Sequence, residues 1–168
     1  MRISRAMRVL TVTGALTLMV GVAAPASAQS QQASLSVAAA VSKNCTITAT
    51  AIAFSAYDPV VTNDTDALDG EGGLSVACTK GVNPALSLGS GGNAAGSQRR
   101  LGFGSERLNY DLFSDSTRST PWSTSTSITM GSAPSKVARP VSVYGRIAGG
   151  QDVPAGAYAD TLLATVNF

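Results

Sequence analysis

Ala33-Ser-Leu-Ser-Val-Ala-Ala-Ala-Val41 alternates apolar with mostly small residues. Ala33, Leu35, Val37, Ala39 and Val41 fall on one face of an extended strand, whereas a helix would scatter them around its axis. The residues before this stretch read as an export address. Arg2, Arg5 and Arg8 give a basic start, Val9 to Ala24 is mostly apolar, and Ala26-Ser-Ala28 has the small residues of a cleavage site. Thr11, Thr13, Gly14 and Thr17 interrupt the apolar run, which suits it poorly to a permanent membrane span. Cleavage after Ala28 leaves 140 of the 168 residues, enough for one domain with a real core. The strand at 33–41 therefore has no mature partner upstream, and the question for the chain is whose sheet it completes.

The rest of the chain alternates in the same way. Cys45-Thr-Ile-Thr-Ala49 continues through Ile52 and Phe54, and Tyr57-Asp58-Pro59 marks a turn. Residues 62–73, rich in Thr, Asp, Asn and Gly, read as a polar loop before a strand at Leu74–Cys78. Leu86 and Leu88 mark a short strand, and the glycines from Gly89 to Ser97 mark a loop. Leu108, Tyr110 and Leu112 alternate, Asp115 to Ser127 is a Ser/Thr-rich loop around Trp122, and Ile128 and Met130 form a weak strand. Val141, Val143, Gly145 and Ile147 form a stronger one after Pro140, and Pro154-Ala-Gly156 turns. The sequence ends on Leu162, Ala164, Val166 and Phe168 as inward positions. Many short strands punctuated by Gly and Pro read as an all-β sandwich. A last strand without a further neighbour leaves an open edge, and 33–41 has the shape of a cover for it.

Composition excludes several function classes. Without its first 28 residues the chain holds nine Lys and Arg against ten Asp and Glu, a net charge of −1. Nucleic-acid binding needs clustered cations, and the only basic pair, Arg99-Arg100, reads as part of a solvated Gly/Ser-rich loop. There is no histidine, which removes Ser-His and Cys-His nucleophiles and imidazole metal sites. Asp64, Asp66, Asp69 and Glu71 gather in the 62–73 loop, but their spacing fails the calcium-loop pattern. Asp58, Glu106, Asp111 and Asp160 are carboxylates with no sequence reason to pair. Trp122 reads as packing rather than a sugar-stacking surface. Asn44-Cys-Thr46 and Asn63-Asp-Thr65 fit the glycosylation sequon. The chain calls for no cofactor and no metal, and is not an enzyme. Two cysteines in an exported chain allow one intramolecular bridge, Cys45–Cys78, worth about 3–4 kcal/mol in the chain-entropy model.

An ordered set of segments then points to a family. Cys45-Thr-Ile47, Phe54-Ser-Ala-Tyr-Asp-Pro59, Val76-Ala-Cys-Thr79, Leu108-Asn-Tyr-Asp-Leu-Phe113 with Trp122, Val143-Tyr-Gly-Arg-Ile147, and Gly156-Ala-Tyr-Ala-Asp-Thr161 through Phe168 together resemble the spore coat protein U domain. That family includes the secreted pilins of archaic chaperone–usher fimbriae. The resemblance implies an immunoglobulin-like β-sandwich lacking its last strand and completed by a donor strand from a neighbouring subunit. Residues 1–28 are then the signal peptide, 29–43 the donor extension and 44–168 the incomplete domain. The implied donor residues are Ala33, Leu35, Val37, Ala39 and Val41. The implied acceptor edge is the C-terminal strand with Tyr158, Leu162, Ala164, Val166 and Phe168, and the two cysteines match the family disulfide. Its implied partners are a periplasmic pilus chaperone, an outer-membrane usher and other pilin subunits, with the fibre at the cell surface serving adhesion and biofilm formation. The small side chains of Ala33, Ala39 and Ala40 depart from the family pattern and bear on register, since a one-residue slip reverses the buried face. A different reading of the same residues is a self-complemented secreted or coat-type protein, in which 33–41 pairs within its own domain.

Overall fold

The computed structural model describes residues 25–168. All but the last four residues of the expected signal peptide lie outside them. The described residues form eight strands and no helix: β1 (Cys45–Ala53), β2 (Leu68–Cys78), β3 (Ala85–Leu88), β4 (Arg99–Phe103), β5 (Glu106–Phe113), β6 (Ser127–Thr129), β7 (Arg139–Ile147) and β8 (Ala164–Asn167). One sheet has the order β1-β2-β7-β5-β4 and the other β6-β3-β8. Every pairing is antiparallel. This is the all-β sandwich that the alternation predicts.

The core lies between the sheets. Leu74, Val76 and Cys78 of β2, Leu86 and Leu88 of β3, Leu108, Tyr110 and Leu112 of β5, and Val143 and Ile147 of β7 are buried. These are the period-two positions of their strands, because alternate side chains of a strand share a face. Trp122 is fully buried, the packing role expected of it. The backbone N–H of Trp122 donates to the Leu112 carbonyl at 2.7 Å.

Three expectations are corrected. The polar loop assigned to 62–73 ends earlier, because β2 begins at Leu68 and pairs with β7 from Leu68↔Ile147 onward. Asp69 there makes a two-pronged ion pair with Arg146 (Nε–Oδ1 2.7 Å, Nη2–Oδ2 3.0 Å). Gly70, Gly72 and Gly145, which weaken the strand pattern, are needed for close approach. A Cβ on Gly72 would stand 2.7 Å from Ile52 Cγ1, and one on Gly145 2.6 Å from Phe54 Cζ. The bare backbone lets the Ile52 and Phe54 side chains lie across the sheet.

The second correction concerns Arg99-Arg100, which belongs to β4 and not to a solvated loop. Arg99 is only 4% exposed. Its guanidinium donates to the carbonyls of Gly89 (2.9 Å), Trp122 (2.7 Å) and Leu88 (3.2 Å). Three carbonyl acceptors make burial of a charge tolerable. Burial also lowers the Arg99 pKa from its ordinary value.

The third correction is to the sequon at Asn63. Asn63 is 2% exposed. Its Nδ2 donates to the Asp66 carbonyl at 2.9 Å, and its Oδ1 accepts from the Asp58 N–H at 3.0 Å. In the folded chain this asparagine is a loop brace and not a glycan acceptor.

Candidate functional site

The two sheets fail to close along one seam. On one side is β1, the edge of the five-stranded sheet. The Thr79 N–H donates to the Asn44 carbonyl at 2.8 Å, which fixes the alternation along the β1–β2 ladder. Thr46, Thr48 and Thr50 turn their backbone groups toward β2, and Cys45, Ile47 and Ala49 turn theirs toward the free edge. Cys45 and Cys78 are a directly opposed pair with Cα atoms 4.1 Å apart, joined by the expected disulfide. The bridge pins the start of this wall.

On the other side is the C-terminal run. Ala159 and Gly102 exchange both backbone hydrogen bonds, at 2.8 and 3.1 Å. The Gly92 N–H donates to Thr161 O (3.1 Å) and the Gly89 N–H to Leu163 O (2.8 Å). Thr165 and Asn167 then pair with Ser87 and Ala85 of β3. Residues 159–167 are thus held along one edge, first by β4, then by the 89–92 loop, then by β3. By the same alternation the N–H and C=O groups of Asp160, Leu162, Ala164 and Val166 point away from these partners, toward the seam.

Between the walls lies a cleft of about 410 Å³, lined by Ile47, Ala49 and Ala51 of β1, by Leu162 and Ala164 opposite, and by Leu74, Leu88, Tyr110 and Leu112 at its floor. Ile52, Phe54, Leu101 and Asp160 also border a second hollow of about 900 Å³, reaching to Tyr57, Val153, Pro154 and Tyr158. Asp160 braces the wall between them. Its Oδ1 accepts from the Gly92 N–H (2.9 Å), the Asn93 N–H (3.2 Å) and Asn93 Nδ2 (3.2 Å), and its Oδ2 accepts from the Tyr110 hydroxyl (2.8 Å). Burial first, and then the hydrogen bond to Asp160, hold the Tyr110 hydroxyl well above the usual tyrosine range. The arrangement offers two rows of backbone donors and acceptors with an apolar trough between them, a surface that an extended segment can enter.

The predicted residues divide clearly. Leu162, Ala164 and Val166 are half-buried on the seam side, and Tyr158 packs its ring, tilted, against Phe103 at a centroid distance of 5.6 Å. Phe168, expected to face inward, is 53% exposed and lies beyond β8. Residues 33–41 carry no strand pairing among the described residues. Leu35, Val37 and Val41 are 89%, 87% and 84% exposed, and Ala33 and Ala39 are exposed with them. Sequence reading missed the second wall, β1. Its signal was present in Ala49 and Ala51, small apolar residues on an otherwise alternating strand that remain exposed.

Residues 31–165 match the family model of the Spore Coat Protein U domain. The chain belongs to this family. Among curated proteins the spore coat protein U domain of this chain is similar to Protein U of Myxococcus xanthus, with 36% identity over 125 residues, 68% of this chain and 70% of that one. Among solved structures it is similar to a chain in the CsuC–CsuE chaperone–tip adhesion subunit pre-assembly complex from the archaic chaperone–usher Csu pili of Acinetobacter baumannii, with 24% identity and a TM-score of 0.55. That match covers 76% of this chain but only 40% of the solved one, and it shows a shared sandwich fold.

Proposed function

We propose that this protein is a structural subunit of a surface fimbria, assembled by the chaperone–usher route through donor-strand complementation. The observation that carries the reading is the seam itself: two facing strand edges over an apolar trough, in a chain whose residues 33–41 present Leu35, Val37 and Val41 to solvent. Burying those three side chains contributes about 1.5–3 kcal/mol each. A periplasmic chaperone fills the seam before assembly, an outer-membrane usher directs the exchange, and residues 29–43 of the next subunit then occupy it. Ala33, Leu35, Val37, Ala39 and Val41 face the trough, and Tyr158, Leu162, Ala164 and Val166 form the receiving edge. Residues 1–28 direct export, and the resulting fibre serves adhesion and biofilm formation. The chaperone–subunit complex to which the solved relative belongs supports this route.

The test is removal of residues 29–42. The shortened subunit is expected to stay soluble with its chaperone and to form no fibre, and Leu35→Asp is expected to do the same by placing a charge in the trough. Fibres that still form, seen as a multimer ladder on unheated electrophoresis, would overturn the donor assignment. A stable monomer made without any chaperone would favour the self-complemented reading.

A further inference from the structure

All three lysines of the chain lie at one end of the sandwich. Lys43 precedes β1, Lys80 follows β2, and Lys136 stands in the loop before β7, each of them exposed. The Cys45–Cys78 bridge joins the first two segments. The Gly81 N–H bond to Ala133 O (2.9 Å) and the Ala133 N–H bond to Val82 O (2.8 Å) draw in the third. None of these three segments contains an Asp or Glu. Phe168 also lies at this end, beside the start of β3.

The other end is acidic. Its loops carry Asp58, Asp64, Asp66 and Asp152, and the start of β5 adds Glu106, with Arg107 as the cation beside it. The Gly150 N–H bond to Asn63 O (2.8 Å) and the Gln151 N–H bond to the Tyr57 hydroxyl (3.0 Å) tie its segments together. At its tip the Asp58 Oδ1 accepts from the N–H groups of Val60 (3.0 Å) and Val61 (3.1 Å). This fixed turn holds the two valines 80% and 76% exposed.

The seam relates the two ends. β1 runs from Ile47 in the first cleft to Ala53 in the second, with Phe54 just beyond it, and the facing wall runs the opposite way, from Tyr158 to Ala164. A strand entering antiparallel to that longer wall ends beside Phe54 and Tyr158, at the acidic end. An arm in this direction delivers Val41, and then its own Lys43, to the acidic end of the receiving copy. The reverse direction would set Lys43 among the other copy's lysines. From Val41 to Cys45 the chain reaches at most about 14 Å. The Thr79 hydroxyl further ties this link, donating to Ser42 O (3.2 Å) and accepting from the Asn44 N–H (3.1 Å). The donor's body must then abut the receiver.

We propose that the basic end of one subunit docks on the acidic, valine-tipped end of the next, as a body-to-body contact between copies of this chain in addition to the inserted arm. This rests on the fimbrial reading above. The test is zero-length carbodiimide coupling of assembled fibres, followed by mass spectrometry of the linked peptides. The eleven-residue β2 sets the ends about 35 Å apart, so a lysine cannot reach these acids within one molecule. Links from Lys80 or Lys136 to Asp58, Asp64, Asp66, Glu106 or Asp152 are expected, together with links from Lys43. Links from Lys43 alone would give the arm direction but no body contact, and would overturn the proposal. Intact fibres with no such links, or with links only to Asp69, Glu71 or Asp111 on the sheet face, would overturn it while leaving the fimbrial reading standing. A chain that forms no fibre would remove both.

Discussion

β1 and β2 are neighbours in the same sheet, joined by a disulfide, and they differ in one respect. β2 has a partner on each edge, and its inward Leu74 and Val76 are 6% and 0% exposed. β1 has a partner on one edge only, and its inward Ala49 and Ala51 remain exposed. Where the disulfide joins them, at Cys45–Ala49 and Leu74–Cys78, the two sequences are alike, apolar side chains alternating with small ones. What separates them is the missing neighbour. The core is finished everywhere except along one seam, and that seam carries the proposed function.

The comparison is broken most sharply by paired truncations. Leu86→Ala removes a fully buried side chain from the finished core, and is expected to destabilise the domain by about 2–5 kcal/mol whether or not the seam is filled. Ile47→Ala removes a half-buried side chain from the open wall. It is expected to change the unfilled subunit by less than about 1 kcal/mol and the subunit supplied with a 29–42 peptide by about twice as much or more, because only the filled seam buries it fully. Urea unfolding of each variant with and without the peptide checks this. Equal losses at Ile47 in both states would show that the seam is already closed.

A loss below that of Leu86→Ala is expected at Asp160→Ala, which leaves four donors without their acceptor and should destabilise the subunit by about 1–3 kcal/mol. Its signature is spectroscopic. In the parent protein the raised Tyr110 pKa means a contribution to stability that is complete below the unfolded tyrosine value of about 10 and is lost as pH rises through the higher folded value. Phenolate absorbance should therefore show a late step from Tyr110, and in the variant that late step should move down. An unchanged titration would mean that Asp160 does not brace the wall.

The smallest effect belongs to the finished sheet's surface. The hydrogen bond from Arg146, opposed by burial and aided by Arg118, holds the Asp69 carboxyl below its ordinary value. Its contribution is fully present above the unfolded carboxylate value of about 3.9 and is lost as pH falls through the lower folded one. Asp69→Asn should flatten the acid limb of stability below pH ~4 and leave the seam untouched, read as unchanged binding of the 29–42 peptide.

Much of this was legible in the residues. Alternation marked β1, β5, β7 and the C-terminal run, because a strand packed on one face writes its burial into every second residue. Two cysteines in an exported chain marked the bridge. β4 was not legible. Arg99-Arg100-Leu-Gly-Phe103 presents a charge at its buried position, and Arg99 is tolerable there only because Leu88, Gly89 and Trp122 bring their carbonyls to it. The start of β2 was hidden for a related reason: Gly70 and Gly72 look like loop until Ile52 and Phe54 are laid over them.

By itself the sequence determined the all-β class, the alternation of residues 33–41, the disulfide, and the alternation of the C-terminal strand. The tertiary structure alone decided that β1 is the facing wall, that Asp160 holds the trough between them, and that lysines and carboxylates gather at opposite ends. Periodicity is local, and one strand suffices to display it. An open edge is defined by which distant segment fails to arrive, and only the full set of pairings reveals that.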